Sequence, residues 1–186
     1  MIIETDRLLM RPPARGDLEA LVRMRSDEDV SRYLGGAGLQ TPEFIDRRLD
    51  FYIACHARHG FAMGALINKS GGEMVGWGGL QPLEETGEIE VGYGFGKAHW
   101  GKGYATEAAA AWLRYGFEQA GLARIVAVAV PENTGSRRVM EKLGMRYEKN
   151  QRHYNTDCVL YAIASADFRP RAGLYALREG PTTDQI

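Results

Sequence analysis

The sequence has few cysteines, and it lacks both a long apolar run and a surplus of one charge. Its two cysteines, Cys55 and Cys158, form no CxxC pair and no ladder of spacings, so neither a disulfide framework nor a zinc knuckle is indicated. No apolar run approaches the roughly 18 residues that a membrane-spanning helix needs. Charged residues stand near the N-terminus, where a signal peptide would have its apolar segment. We therefore expect buried free thiols, a cytoplasmic location and no membrane partner.

The balance of charge argues against a nucleic-acid partner. Lys and Arg number 23 against 24 Asp and Glu, for a net charge of −1. A chain so close to neutral has no bulk attraction for DNA or RNA, and we expect no nucleic-acid partner. The 186 residues, of which 45% are apolar, are typical of one globular domain that folds without a metal or disulfide.

Hydrophobic periodicity and turn signals predict seven strands and four helices in the order β-α-α-β-β-β-α-β-α-β-β. The predicted strands cover residues 7–11, 61–68, 74–80, 88–95, 124–130, 146–152 and 158–164, and the predicted helices cover residues 17–34, 42–60, 104–120 and 133–143. This order predicts an α/β fold (mixed α+β) with one central mixed β-sheet of about seven strands, flanked by helices.

The chain is predicted to form one domain over residues 1–168 and a C-terminal tail over residues 169–186, either frayed or docked on a neighbour. Within the domain, the strand at 88–95, the following helix and the strand at 124–130 form a βαβ unit. Its two strands should lie parallel, joined by a right-handed crossover.

The informative stretch is EIEVGYGFGKAHWGKGYATE, from Glu88 to Glu107, in which a strand runs through a glycine-rich turn into a helix. Free backbone N–H groups at a helix N-terminus, backed by the helix dipole, favour phosphate binding. Gly101 and Gly103 allow a phosphate to approach the backbone closely, and Lys102 adds positive charge. The turn therefore predicts a phosphate-binding loop.

Two nucleotide-binding patterns fit this loop poorly. The P-loop pattern needs Ser or Thr after its lysine, where this chain has Gly103. The dinucleotide pattern GxGxxG needs a third glycine where Thr106 stands, and the next strand runs into Pro131 without an acidic residue for the ribose. The pyrophosphate loop of acetyl-CoA-dependent transferases is the third template.

Four motifs in the right order carry a resemblance to that third template. They are WGKGYATEA at 100–108, ETDRLLMRP at 4–12, NxxS with EKLGM at 133–145, and DCVLY at 157–161. The chain resembles a Gcn5-related N-acetyltransferase (GNAT), and more narrowly the RimJ/RimL branch, which acetylates protein N-termini and assorted amines. Trp100 departs from the Gln or Arg of the general family pattern, and the branch tolerates it.

The resemblance implies acetyl-CoA as cosubstrate and no metal. It implies that the pantetheine arm enters between the strands at 88–95 and 124–130, which splay apart. The residues that it assigns to the cofactor are Trp100, Gly101, Lys102, Gly103, Tyr104, Ala105, Thr106, Asn133 and Ser136.

The first of these two strands is also expected to hold the developing oxyanion. Gly92, Gly94 and Gly96 favour a β-bulge, which would free a backbone N–H near Tyr93 or Gly94 to polarise the thioester carbonyl. Pro131 cannot donate a ladder hydrogen bond, so pairing should fail at the end of the second strand.

Two further expectations concern proton transfer. Many GNAT proteins place a tyrosine acid where this chain has Met140, and Ser136 is the nearest replacement. Glu90 is expected to be the general base, with Glu88 and His99 as alternatives.

The function implied by this resemblance is transfer of an acetyl group to a primary amine, either a protein N-terminus or a small molecule, by direct attack in a ternary complex. The alternative is a non-catalytic acyl-CoA-binding module of the same fold, because Met140 cannot act as the acid. A homodimer is compatible with the sequence, which does not specify an oligomeric state.

Overall fold

The computed structural model describes residues 1–179, which form one nine-stranded sheet and five helices. The strands are β1 (Ile2–Thr5), β2 (Leu8–Arg11), β3 (Met63–Asn68), β4 (Met74–Pro82), β5 (Ile89–Phe95), β6 (Arg124–Ala129), β7 (Arg146–His153), β8 (Thr156–Ala164) and β9 (Tyr175–Arg178). The helices are α1 (Leu18–Arg25), α2 (Glu28–Ser31), α3 (Pro42–His59), α4 (Tyr104–Glu118) and α5 (Thr134–Lys142).

The strands lie in the order β7-β8-β6-β5-β4-β3-β2-β1-β9. Only β5 and β6 pair in parallel among these strands; every other neighbouring pair is antiparallel. The predicted mixed sheet and its parallel βαβ unit are therefore confirmed. The helix of that unit, α4, is the element on which the candidate site depends.

The sheet has nine strands where the sequence predicted about seven. The additional strands are β1, which a two-residue turn separates from β2, and β9, which lies in the predicted tail and pairs with β1 from Ile2↔Arg178 to Thr5↔Tyr175. Residues 175–178 of the predicted tail are therefore docked on the edge of β1 and are not frayed. Residues 180–186, the polar end of that tail, lie outside the described residues.

The helix predicted over residues 17–34 is instead two short helices, α1 and α2. The break comes at Asp27, whose carboxylate accepts hydrogen bonds from the N–H groups of Asp29 and Val30 and so caps α2. The next helix, α3, begins and ends as predicted, with Thr41 as N-cap, Pro42 in the first turn and Gly60 in a left-handed C-cap.

The two faces of the sheet are covered by different helices. α4 packs on one face, where its alanines at 108, 109 and 111 allow a close approach and Leu113 is completely buried. On the other face, Trp77 of β4 packs with Leu21, Ile45 and Leu49 of α1 and α3. The side chains of β5 thus alternate between a face that meets α4 and a face that meets α3.

Two further predictions can be compared with this fold. Cys55 and Cys158 are both buried free thiols, as expected. Within residues 1–179, none of the helices combines the length and the apolar character that crossing a bilayer requires.

Candidate active site

A wedge-shaped gap opens between the parallel strands β5 and β6. The two strands share one register pair in the described chain, Glu90↔Val126. Beyond it, β5 stays paired with β4 as far as Phe95, while β6 stays paired with β8 as far as Ala129. The strands therefore separate towards their carboxyl ends, in the place where the family resemblance implied a splay.

The pairing pattern identifies which amides of β5 face this gap. Gly96 donates its N–H to the carbonyl of Val75, so the even-numbered residues of β5 direct their backbone groups at β4. Because successive residues of a strand direct their backbone groups to opposite sides, the N–H groups of the odd-numbered residues point at β6. Those of Tyr93 and Phe95 lie beyond the β5–β6 register pair and therefore point into the gap. Of the two expected oxyanion donors, geometry favours Tyr93 over Gly94.

The β-bulge predicted in β5 is absent from its register with β4, which runs without a shift from Ile89 to Phe95. Glycine is required at positions 92 and 94 because neighbouring side chains leave no room for a Cβ atom. A Cβ at Gly94 would lie 2.2 Å from the ring of Trp77, and a Cβ at Gly92 would lie 1.9 Å from the terminal methyl of Met63. The Tyr93 amide is free because β6 diverges, and no bulge is required.

The glycine-rich loop ends at the N-terminus of α4 with the backbone that phosphate binding requires. Gly101 and Gly103 have φ of 73° and 81°, a left-handed conformation that other residues rarely adopt. The helix makes its first backbone bond from Glu107 N–H to the Gly103 carbonyl. The N–H groups of residues 104–106 are consequently unused within the helix, and Gly103 has no side chain to cap them.

Arg7 fixes this loop from the β1–β2 turn. Its guanidinium donates to the Lys102 carbonyl at 2.7 Å, forms an ion pair with Glu107 at 2.7 Å, and lies 4.5 Å from the ring centre of Tyr104. Trp100 adds a second tether, donating its indole N–H to the Phe95 carbonyl at 2.8 Å. The loop is thus held in shape before any ligand binds.

A cavity of about 580 Å³ adjoins the first turns of α4. Gly103 and Thr106 line it from the helix, and residues 171–175 line it from the C-terminal segment. Its wall carries four cationic side chains, Arg7, Arg114, Lys142 and Arg171, against two carboxylates, Asp6 and Glu107, of which Glu107 is paired with Arg7. The cavity therefore offers room and a surplus of positive charge for a phosphate-bearing group beside the helix N-terminus.

Across the gap, α5 presents two of the predicted cofactor residues. Asn133 is the N-cap of α5, and its side-chain oxygen accepts the Ser136 N–H at 3.0 Å. The Ser136 hydroxyl lies 3.1 Å from the hydroxyl of Tyr93, which also donates to the Ser136 carbonyl at 3.2 Å. Burial raises the pKa of Tyr93 to about 12. Met140 is buried in the core and takes no part in this contact.

Glu90 lies on the opposite face of β5, towards α3, and is only 4% exposed. Its Oε1 accepts hydrogen bonds from Gln81 Nε2 at 2.6 Å and from the hydroxyl of Tyr154. Burial raises the pKa of this carboxyl group, and the hydrogen bonds from Tyr154 and Gln81 oppose that shift. A raised pKa makes the Glu90 carboxylate a stronger base than an exposed glutamate.

The two alternative bases are placed differently. Glu88 precedes β5 and pairs with Arg124 at 3.2 Å, so a cation already neutralises it. His99 lies in the short turn at Lys97–His99, near Tyr104. The structure brings neither residue into the cluster around Glu90.

Sequence reasoning missed three residues of this arrangement, namely Arg7, Gln81 and Tyr154. Tyr154 is 64 residues from Glu90 in the chain, and its position follows from the β7–β8 hairpin alone. Gln81 is Glu90's partner in the β4–β5 register, so the strand pairing could have identified it. Among residues 1–179, no group of three or more His, Cys, Asp or Glu side chains is arranged to hold a metal ion.

Comparison with known proteins agrees with the family resemblance of the sequence motifs. The family model described as "Acetyltransferase (GNAT) domain" matches residues 7–146. The uncharacterized N-acetyltransferase YoaA of Bacillus subtilis is 30% identical over 154 residues, which are 82% of this chain and 87% of that protein.

Solved structures share the fold. The acetyltransferase (GNAT family) of Bacillus anthracis has a TM-score of 0.74 at 34% identity and covers 89% of this chain and 99% of its own. RimJ of Mycobacterium smegmatis, solved in complex with CoA-disulfide, has a TM-score of 0.73 at 24% identity, over 89% of this chain and 88% of its own. The acetyltransferase fold that the sequence motifs implied is therefore confirmed.

Proposed function

The chain belongs to the GNAT acetyltransferase family, and on that premise we propose that it moves the acetyl group of acetyl-CoA to a primary amine by direct attack in a ternary complex. The acceptor is the N-terminal amine of a protein or the amine of a small molecule. One observation carries the proposal. The gap beyond Glu90↔Val126 opens beside the free N–H groups at the start of α4, with an unpaired amide on one side and a buried carboxylate near its closed end.

The loop supports binding of the CoA diphosphate. The unused N–H groups of residues 104–106 and the positive end of the α4 dipole favour two adjacent phosphates, and Gly101 and Gly103 leave the backbone accessible. The adjoining cavity, with Arg114, Lys142 and Arg171, suits the nucleotide end of the same molecule. The pantetheine arm would then follow the gap, with Asn133 on its α5 side.

The residues around the gap support acyl transfer. The Tyr93 N–H would donate a hydrogen bond to the thioester oxygen as negative charge develops on it. Glu90 would accept the proton that the attacking amine loses. The hydroxyl pair of Ser136 and Tyr93 would supply a proton to the departing thiolate, the role for which Met140 is chemically unsuited.

Gln81 supports an amine as the acceptor. Its Nε2 must face Glu90, because only the amide nitrogen can donate to a carboxylate. Its Oε1 is consequently directed away, and it is buried without a hydrogen-bond partner among the described residues. A buried carbonyl oxygen without a donor is costly, and an acceptor N–H group would satisfy it.

The experiment is a thiol-release assay with acetyl-CoA and a panel of primary amines and N-terminal peptides. The proposal predicts CoA release above the amine-free rate for at least one acceptor, with mass spectrometry showing an acetyl group on the amine. Tight acetyl-CoA binding without release for any amine would favour the non-catalytic acyl-CoA-binding module instead.

A further inference from the structure

The tip of the β7–β8 hairpin covers Glu90. Tyr154 and Asn155 form a two-residue turn between the register partners His153 and Thr156. Both turn residues have positive φ, 51° and 58°. Asparagine tolerates this conformation, whereas a tyrosine rarely adopts it. A strained tyrosine at a turn points to a role for its side chain rather than for the turn itself.

Glu85 holds this tip in place. Its Oε1 accepts the Tyr154 N–H at 2.8 Å, and its Oε2 lies 3.2 Å from Nδ1 of the fully buried His153. One carboxylate from the β4–β5 connection therefore anchors two successive residues of the hairpin. The anchor fixes the direction of the Tyr154 side chain, which crosses to β5.

The phenol of Tyr154 is joined to the proposed base. Its hydroxyl donates to Glu90 Oε1 and accepts a hydrogen bond from Gln81 Nε2 at 2.9 Å. Tyr154 is 40% exposed, whereas Glu90 is 4% exposed. An acceptor that enters from solvent on this face therefore meets the tyrosine before it can reach the carboxylate.

We propose that Tyr154 relays the proton of the acceptor amine to Glu90, an inference that rests on the transferase reaction proposed above. As the amine nitrogen forms its bond to the acetyl carbon, its proton passes to the Tyr154 oxygen while the Tyr154 hydroxyl proton passes to Glu90. The C–S bond breaks with its electron pair going to sulfur. Glu90 ends neutral and the tyrosine is unchanged, so the step needs no further reactant.

The charges around the pair fit a relay rather than a free phenolate. Arg48 of α3 lies 5.9 Å from the Tyr154 ring and is paired with Glu84, and His153 and Cys158 approach from β7 and β8. Burial, the charge of Glu90 and the nearby Tyr52 raise the pKa of Tyr154, and Arg48 opposes them in part. Because the net direction disfavours a phenolate, the relay moves both protons in one step.

The experiment is a double-mutant cycle in the thiol-release assay with Tyr154→Phe, Glu90→Gln and the double variant. Residues that act as one unit have non-additive effects. We expect each single change to lower kcat by at least tenfold, the double variant to match Glu90→Gln within twofold, and Kd for CoA to stay unchanged. Tyr147→Phe is the matched control and should keep the wild-type kcat, because this exposed residue of the same hairpin donates its hydroxyl to Asn150 and, within residues 1–179, bonds neither Glu90 nor Gln81.

Two results would overturn the relay: a wild-type kcat in Tyr154→Phe, or a loss in the double variant equal to the product of the single losses. A pH profile gives a second readout that a merely structural role would not move. Loss of the Tyr154 hydrogen bond destabilises the Glu90 carboxylate, so the acidic limb of the residual activity should move to higher pH. An unmoved limb would also count against the relay, whereas wild-type protein inactive with every amine would refute the transferase proposal itself.

Discussion

The hydroxyl of Tyr93 lies 3.1 Å from Oγ of Ser136, so that a side chain of β5 meets α5 across the gap where the two strands separate. The family's usual tyrosine acid would extend from α5, where this chain has Met140. The phenol of Tyr93, which we propose as part of the proton donor, lies on the opposite side of the gap, on the strand that also carries the proposed oxyanion donor. One residue, Tyr93, can therefore contribute its amide to one atom of the thioester and its hydroxyl towards another.

Tyr93→Phe tests the hydroxyl without touching the amide. We expect kcat to fall by about tenfold, less than the 10²–10⁴ typical of general acid catalysis, because a thiolate is already a good leaving group. The measurement is kcat with acetyl-CoA and with an acetyl thioester of a more acidic thiol, which should be less affected. An equal loss with both thioesters would show that the hydroxyl does not assist departure.

Gly103→Val tests the phosphate loop. Valine is strained at φ 81°, and its branched side chain would crowd the amides of the first turn of α4. We expect the calorimetric affinity for CoA to fall at least tenfold, about 1.4 kcal/mol. Gly121→Val is the matched control, because Gly121 also has positive φ and lies after α4 at the other end of the helix. Equal affinities in the two variants would contradict the loop assignment.

Arg7→Met tests whether the loop is held ready for the cofactor. The change removes the hydrogen bond to the Lys102 carbonyl and the ion pair to Glu107, while an apolar chain remains. We expect Kd for CoA to rise about fivefold, roughly 1 kcal/mol, with little change in kcat at saturation. Arg23→Met, on the exposed face of α1, should leave Kd unchanged. A loss in kcat alone would argue against a role in binding.

Glu90→Gln should lower kcat by about 100-fold and remove the acidic limb of the pH profile, as expected for loss of a general base. The same change should stabilise the fold. Because the pKa of Glu90 is higher in the folded chain than in the unfolded chain, ionising it opposes folding, and stability is lost as pH rises from the unfolded to the folded pKa. Thermal unfolding should therefore show Tm of the variant above wild type at pH 8, with the difference vanishing near pH 4. A lower Tm at pH 8 would contradict a buried carboxylate.

Local signals in the sequence predicted much of the fold. Thr41, Pro42 and Gly60 gave the ends of α3, and the run from Arg124 to Val130 predicted the strand that pairs with β5 in parallel. The candidate cofactor loop could be proposed for the same reason, since glycine spacing at a helix N-terminus is a local property of the chain. Elements whose cause lies within a few residues are the ones that patterns reveal.

What the sequence missed depends on contacts between distant segments. β9 is four residues long with no strong alternation, and it is a strand because β1 lies beside it. Gly92 and Gly94 indicated a bulge, whereas they are small because Met63 and Trp77 pass over them. The candidate site also depends on a contact between distant segments. Glu90 could be proposed from its own strand, but local periodicity does not predict that the β7–β8 hairpin brings Tyr154 to it.

The divergence of β5 from β6 has a further consequence for solvent deuterium exchange. The Gly94 amide points at β4 inside a continuous ladder, and the Tyr93 amide beside it points into the open wedge. Two neighbouring amides of one strand should thus differ in protection by orders of magnitude in the free protein, and saturation with CoA thioester should slow the faster one alone.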